Sequence, residues 1–134
     1  MQRIVLDTNC LLISLASNSP FHNVWTGFLS EQYTLCITND IILEYEEILT
    51  QRINADIAKN IIQAILNRKN VLKIDTRMKY QLITADPDDN KFVDCAIAAN
   101  AKYIVTEDHH YGVLKQIDFP HIEVIRLAAF SAML

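Results

Sequence analysis

Apolar positions along the chain change period several times, and each change marks an element. Residues 3–7, "RIVLD", form a short β-branched run that closes on a carboxylate and predicts a buried strand. Residues 10–16 suit the opening of a helix, and Ser19-Pro20 suits entry to another over about 20–31. "TLCIT" (34–38) predicts a second strand, with Asn39 or Asp40 capping a helix that runs to about Arg52. Over 55–69, Ile57, Ile61 and Ile65 recur at spacing four with Ala58 and Ile62 beside them, which predicts an amphipathic helix. "VLKI" (71–74) reads as a third strand, and residues 76–85 fit neither period. "DPDDN" (86–90) predicts a turn that caps a helix over 90–101. "YIVT" (103–106), a short helix within "HHYGVLKQI" and "IEVI" (122–125) complete the pattern. Strands alternating with helices predict an α/β fold. The expected form is a three-layer α/β/α sandwich around a parallel sheet of about five strands, in one domain over 1–134.

Composition agrees with a packed core: 51% of the 134 residues are hydrophobic, 21% are charged, and glycine and proline are scarce. "MQRIVLDTNC" lacks the apolar core and small-residue cleavage site of a signal peptide, and no apolar run is long enough to span a membrane. Cys10, Cys36 and Cys95 are odd in number and form no C-x-x-C pair, so buried free thiols in a reducing cytoplasm are expected. The four histidines show no ligand spacing, and no zinc site is expected. A net charge of −4 argues mildly against a nucleic-acid partner. Yet Arg68, Lys69, Lys73, Arg77 and Lys79 place five of twelve basic residues within a twelve-residue window. That window is either a solvated surface or part of a phosphate-binding rim.

The acidic residues change the picture more. Open α/β sheets bind ligands beyond the carboxyl ends of their strands. Asp7 closes the first strand, and Asp108 lies just past the fourth. Glu44 lies early in the helix after the second strand; Glu46 also flanks the apolar arc there, while Glu47 points away from it. Asp94 falls in the first turns of helix 90–101, among Phe92, Val93, Cys95, Ala96 and Ile97. Each acid alone also reads as a cap or a solvated side chain. Together, four acids from four segments reach one edge. Two carboxylates about 5 Å apart repel by roughly 3 kcal/mol at an effective dielectric near 20. Such a cluster needs protons or hard divalent cations, and one or two such ions suit phosphodiester hydrolysis.

The blocks "VLDTN", "LEYEEIL" and "DPDDNKFVDCAIAANAKYIVTED", in this order and spacing, resemble the PIN domain, a family of metal-dependent ribonucleases. The last block is similar to a subfamily described as toxins of toxin–antitoxin systems. The resemblance makes Asp7, Glu44, Asp94 and Asp108 the catalytic, metal-holding acids. Asn9 and Thr106 match polar supports, and Asp89 and Asn90 match a motif of the subfamily. Glu107 stands where the family often has a small residue or Asn. The resemblance further implies a Mg2+ or Mn2+ site, water-driven cleavage of RNA that leaves a 5′-phosphate, and an antitoxin partner. It also implies a homodimer, for which helix 55–69 and the segment near Trp25 and Phe28 are candidate surfaces, although core packing explains the same residues. His109 and His110 read as surface histidines opening a helix or as substrate contacts. The chain ends soon after the fifth strand, so a C-terminal extension of some relatives is not expected. A PIN nuclease without a toxin role and a non-catalytic binding module are the alternatives. Other phosphoryl-transfer layouts fit less well. A haloacid-dehalogenase-type phosphatase needs Asp where Asn9 stands, and a receiver domain needs an acid adjacent to Asp7.

Overall fold

The computed structural model describes residues 1–75, 81–83, 87–116 and 121–134. Five strands form one parallel sheet: β1 (Arg3–Leu6), β2 (Thr34–Ile37), β3 (Val71–Lys73), β4 (Tyr103–Val105) and β5 (Val124–Ile125), in the order β3-β2-β1-β4-β5. The helices are α1 (Thr8–Leu15), α2 (His22–Leu29), α3 (Asn39–Arg52), α4 (Ala55–Leu66), α5 (Asn90–Ala99) and α6 (Leu127–Ala132). Short 3-10 segments cover Pro87–Asp89 and His109–Gln116.

The central strands are apolar on both faces because both faces are covered. Ile4, Val5, Leu6, Leu35, Cys36, Ile37, Ile104 and Val105 are all buried. Burying each large aliphatic side chain contributes about 1.5–3 kcal/mol. The chain builds outward from β1 through β2 to β3, then crosses back to β4 and β5. With right-handed crossovers, that reversal puts the helices that follow β1 and β2 on one face and α5 on the other. It also opens a crevice between the carboxyl ends of β1 and β4.

Several boundaries differ from expectation for local reasons. The cap of α3 is Thr38, whose hydroxyl accepts the Ile41 N–H at 3.2 Å, not Asn39 or Asp40. Asn54 caps α4 in the same way, through Ile57 N at 2.8 Å. Helix α5 stops at Ala99 because Asn100 turns left-handed, with φ of 52°. Helix α6 was not expected, since six residues are too few for a readable period. Trp25 and Phe28 lie in the core, Phe28 packing on Tyr33 and Tyr33 edge-on against Phe130, so this pair does not form a free surface for a second copy. Most of the unassigned stretch 76–85 lies outside the described residues, and Arg77 and Lys79 with it.

Two buried polar side chains lock the layers. Asn70 donates to Phe28 O at 2.9 Å and Tyr33 O at 2.8 Å, tying the start of β3 to the α2–β2 connection. The fully buried Tyr45 of α3 donates its hydroxyl to Leu6 O, the last carbonyl of β1. Replacing Tyr45 by Phe leaves that carbonyl unpaired and is expected to cost about 1–3 kcal/mol, read from urea unfolding. An unchanged midpoint would show that the bond contributes nothing net.

All three cysteines are free and buried. Burial pushes the Cys10 and Cys95 thiols up to about 12 and Cys36 to about 11. Native protein at pH 8 is therefore expected to resist alkylation, with three thiols reacting only after denaturation; rapid modification of the native chain would contradict the burial.

Candidate functional site

The site is built where β1 and β4 end side by side. Asp7 N donates to Val105 O at 3.0 Å, so the residue after β1 is fixed against the end of β4. The Thr106 hydroxyl donates to Asp7 Oδ2 at 2.7 Å and accepts the Asp108 N–H at 3.0 Å. One hydroxyl thus joins the first and the last of the four candidate acids. Burial raises the Asp7 pKa; the Thr106 hydroxyl and Thr8 N–H oppose it, and the Glu44 and Asp108 charges add to it.

Glu44 arrives from the second turn of α3, a helix anchored to β1 by its neighbour Tyr45. Both of its oxygens are engaged. Oε1 meets Lys91 Nζ at 2.7 Å, and Oε2 accepts the Thr8 hydroxyl. Glu46 and Glu47 are exposed. Asp94 is buried, 5% exposed, in the second turn of α5, and α5 lies against β1, β2 and β4. Because α5 leads into the start of β4, its own first turns lie at the carboxyl edge of the sheet.

Asp108 opens the 3-10 segment that follows. Its Oδ1 accepts the His110 N–H at 2.8 Å and lies 3.1 Å from His110 Nδ1. Partial burial pushes the Asp108 carboxyl up, but the His110 N–H, a hydrogen bond with Asp89 and the two imidazoles bring it below its ordinary value. Two carboxyls in hydrogen-bond contact need a proton or a cation between them. Asp89 is itself buried, and Tyr111, fully buried, donates to Asp89 O at 3.4 Å. Burial drives the Tyr111 phenol far up, and the charges of Asp7, Asp89, Asp108 and Glu44 add to it. Tyr111 therefore stands among four of the acids. Among the described residues, Asp108, His109 and His110 also offer ligand atoms within 4.8 Å of one another.

Other candidates fall elsewhere. Asn90 exchanges two 2.8 Å hydrogen bonds with the backbone of Ile83, pinning the approach to α5. Asn9 is exposed, and its side chain makes no hydrogen bond among the described residues. Arg68 and Lys69 precede β3 and so lie at the amino edge of the sheet, opposite the acids; Arg68 donates to Leu29 O at 3.1 Å. Lys73 closes β3 at the carboxyl edge but on the outermost strand. The basic window is thus not one rim around the acids. Glu107 pairs with Arg126 and accepts the Leu127 N–H at 3.2 Å, tethering α6 beside Asp108.

Thr8, Lys91 and Tyr111 were not singled out in the sequence. A signal existed for Lys91, which precedes Asp94 by three residues and shares its helix face. None existed for Tyr111, whose burial depends on long-range packing.

Residues 3–110 match the PIN domain family. Among solved structures, the fold is similar to VapBC2 from Rickettsia felis bound to a DNA fragment from its promoter, with a TM-score of 0.65 and 17% identity, covering 93% of this chain and 98% of that one. It is also similar to DNA-bound VapBC from Salmonella typhimurium, with a TM-score of 0.62 and 19% identity, covering 95% of this chain and 99% of that one. At these identities the likeness is one of fold. No curated protein matches the chain at a significant level.

Proposed function

Since the chain belongs to the PIN domain family, a family of nucleases, we propose that it is a divalent-metal-dependent endoribonuclease and the toxin of a toxin–antitoxin pair. One observation carries the nuclease reading. The charges of Glu44 and Asp108 both bear on Asp7, and Asp94 is buried in the second turn of α5 at the same sheet edge.

The donor set fits a hard cation. Among the described residues it is all carboxylate oxygen at its centre, its negative charges outnumber the ammonium of Lys91, and Asp7 is held at an energetic disadvantage as an anion. Asp7, Glu44, Asp94 and Asp108 would hold Mg2+ or Mn2+, directly or through water. When bound, the ion supplies positive charge against the scissile phosphate and lowers the pKa of a water. Thr106 keeps Asp7 and Asp108 in register, and Asn90 holds the chain entering α5. Asp89 and Tyr111 back the acids from the buried side.

The toxin role is supported by the fold-level likeness to VapBC toxin–antitoxin complexes over nearly the whole chain. An antitoxin is the expected protein partner, and a homodimer the expected assembly. Among the described residues no helix is long and apolar enough to cross a membrane. A cytoplasmic site of action suits an enzyme that cleaves RNA and carries three free thiols.

The test is incubation of the purified chain with single-stranded and structured RNA. Cleavage in Mg2+ or Mn2+, products with 5′-phosphates and complete inhibition by EDTA are expected. Cleavage that persists in EDTA, or no cleavage of any RNA with metal present, would overturn the reading. Growth arrest on expression, relieved by the product of an adjacent small gene, tests the toxin role separately.

A further inference from the structure

We propose that the cleft between the 3-10 segment His109–Gln116 and α6 is a nucleotide subsite, taking one unpaired base of the RNA strand beside the scissile phosphate. This rests on the ribonuclease reading above and names the form of RNA that the site accepts.

The cleft has a volume of about 390 Å³ and starts at the acidic centre itself. Thr106, whose hydroxyl donates to the Asp7 carboxylate, lines it, and so does Asp108, whose charge bears on Asp7. From there the cleft runs outward over β5, the last strand of the sheet. Val124 and Ile125, both half-buried, and Ala129 of α6 give it apolar surface. Gly112 leaves it open, since a Cβ there would meet no atom within 4 Å. Cavities of roughly 300 Å³ and more that pair apolar walls with a few polar groups suit small organic ligands. A nucleobase is such a ligand, with apolar faces and polar edges. In a duplex its faces are covered by stacking, so only an unpaired base can enter.

Charge sets the direction in which the strand leaves the acids. Lys115 and Arg126 line the cleft and balance Glu107 and Asp108. Arg126 gives its Nε to Glu107, and Glu107 also accepts the Leu127 N–H, so the guanidinium is fixed beside α6. A guanidinium carries donors on all three nitrogens, which leaves the terminal amino groups for a phosphate or a base edge. Lys115 is exposed. The hollow on the other side of the centre, between α3 and α5, differs in sign. Asp40, Glu44, Glu47 and Asp88 line it against Lys91, whose ammonium already pairs with Glu44. A phosphate backbone is repelled there and accommodated over β5. Continuity with the support of Asp7 favours the substrate over a protein segment as the occupant.

Fluorescence anisotropy tests this with the full chain in EDTA, at about 0.15 M salt. The probes are a short single-stranded RNA and the same RNA annealed to its complement. Wild type is expected to bind the single strand at least about fivefold more tightly than the duplex. Ala129→Glu fills the cleft from an exposed helix position and is expected to weaken single-strand binding by at least about fivefold. Lys115→Gln is expected to lower the slope of log affinity against log salt by about 0.7, the share of one phosphate contact on a single strand. Lys59→Glu, a larger charge change than Ala129→Glu but on the exposed face of α4, is expected to alter affinity by less than about twofold. Circular dichroism checks that each variant is folded. Single-strand binding unchanged in folded Ala129→Glu and Lys115→Gln, or equal binding of both probes by wild type, would overturn the proposal and leave the cleft to a protein segment. Cleft-dependent binding without any cleavage in Mg2+ or Mn2+ would instead remove the ribonuclease reading and keep the cleft as an RNA site.

Discussion

Asp94→Asn is expected to reduce the proposed metal-dependent RNA cleavage by about a thousandfold while the protein stays folded. The substitution keeps size and shape, so Val93, Cys95 and Ala96 go on packing around it in the core. What changes is the sign of the chemistry. A carboxylate offers only acceptor oxygens, whereas an amide replaces one of them with a donor and carries no charge. A cation held there would lose a ligand it could not replace from an apolar helix face. The same loss is expected for Asp7→Asn. Glu46→Gln, on an exposed side chain of the same helix as Glu44, is expected to change the rate by less than about twofold. Single-turnover rates at saturating Mg2+ read the effect, and circular dichroism reads the fold. Wild-type rates in both Asp7→Asn and Asp94→Asn would remove these acids from the mechanism.

Asp7→Asn should also make the metal-free protein more stable at neutral pH. The folded pKa of Asp7 is raised above its ordinary 3.8, chiefly by burial. The folded state therefore binds that proton more tightly than the unfolded state does. Its contribution is most favourable below the unfolded value and is lost as pH rises through the folded one. At pH 7 in EDTA the wild-type chain carries that cost and the variant does not. A gain on the order of 1 kcal/mol raises the melting temperature by a few degrees for a chain of this size. The gain should shrink as the pH is lowered and vanish once the pH is well below the unfolded value of 3.8, where Asp7 is protonated in both states. Mg2+ should close the gap from the other side, stabilising wild type and not the variant. A drop in melting temperature for Asp7→Asn at pH 7 in EDTA would mean that the Thr106 bond to the carboxylate outweighs its desolvation.

The layers, the parallel sheet and the edge on which the acids lie were legible because each depends on local pattern. "RIVL", "TLCI" and "YIV" are short apolar runs that suit strands covered on both faces. Glu44 could be chosen over Glu46 and Glu47 because it lies nearest the start of its helix. What could not be read along the chain depended on tertiary placement. Arg68, Lys69 and Lys73 looked like one basic patch when counted along the chain. They are split by the direction of β3, which carries Lys73 away from the other two. Trp25 and Phe28 read from the sequence either as a contact surface or as core, and α2 turns them inward, with Phe28 against Tyr33. Thr38 outcompeted Asn39 and Asp40 as the cap because its backbone remains extended, with φ of −125° and ψ of 172°, where the strand ends.

The strand order has a consequence for how the protein is made. Asp7 and Glu44 belong to the part of the chain synthesised first, which can pair β1, β2 and β3 by itself. Asp94 and Asp108 come from the later part, and the crevice has only one wall until β4 docks on the open side of β1. A chain still being translated therefore holds half an active centre next to the ribosome's own RNA. For the ribonuclease proposed above, the order of the strands would delay the onset of activity until synthesis is nearly done.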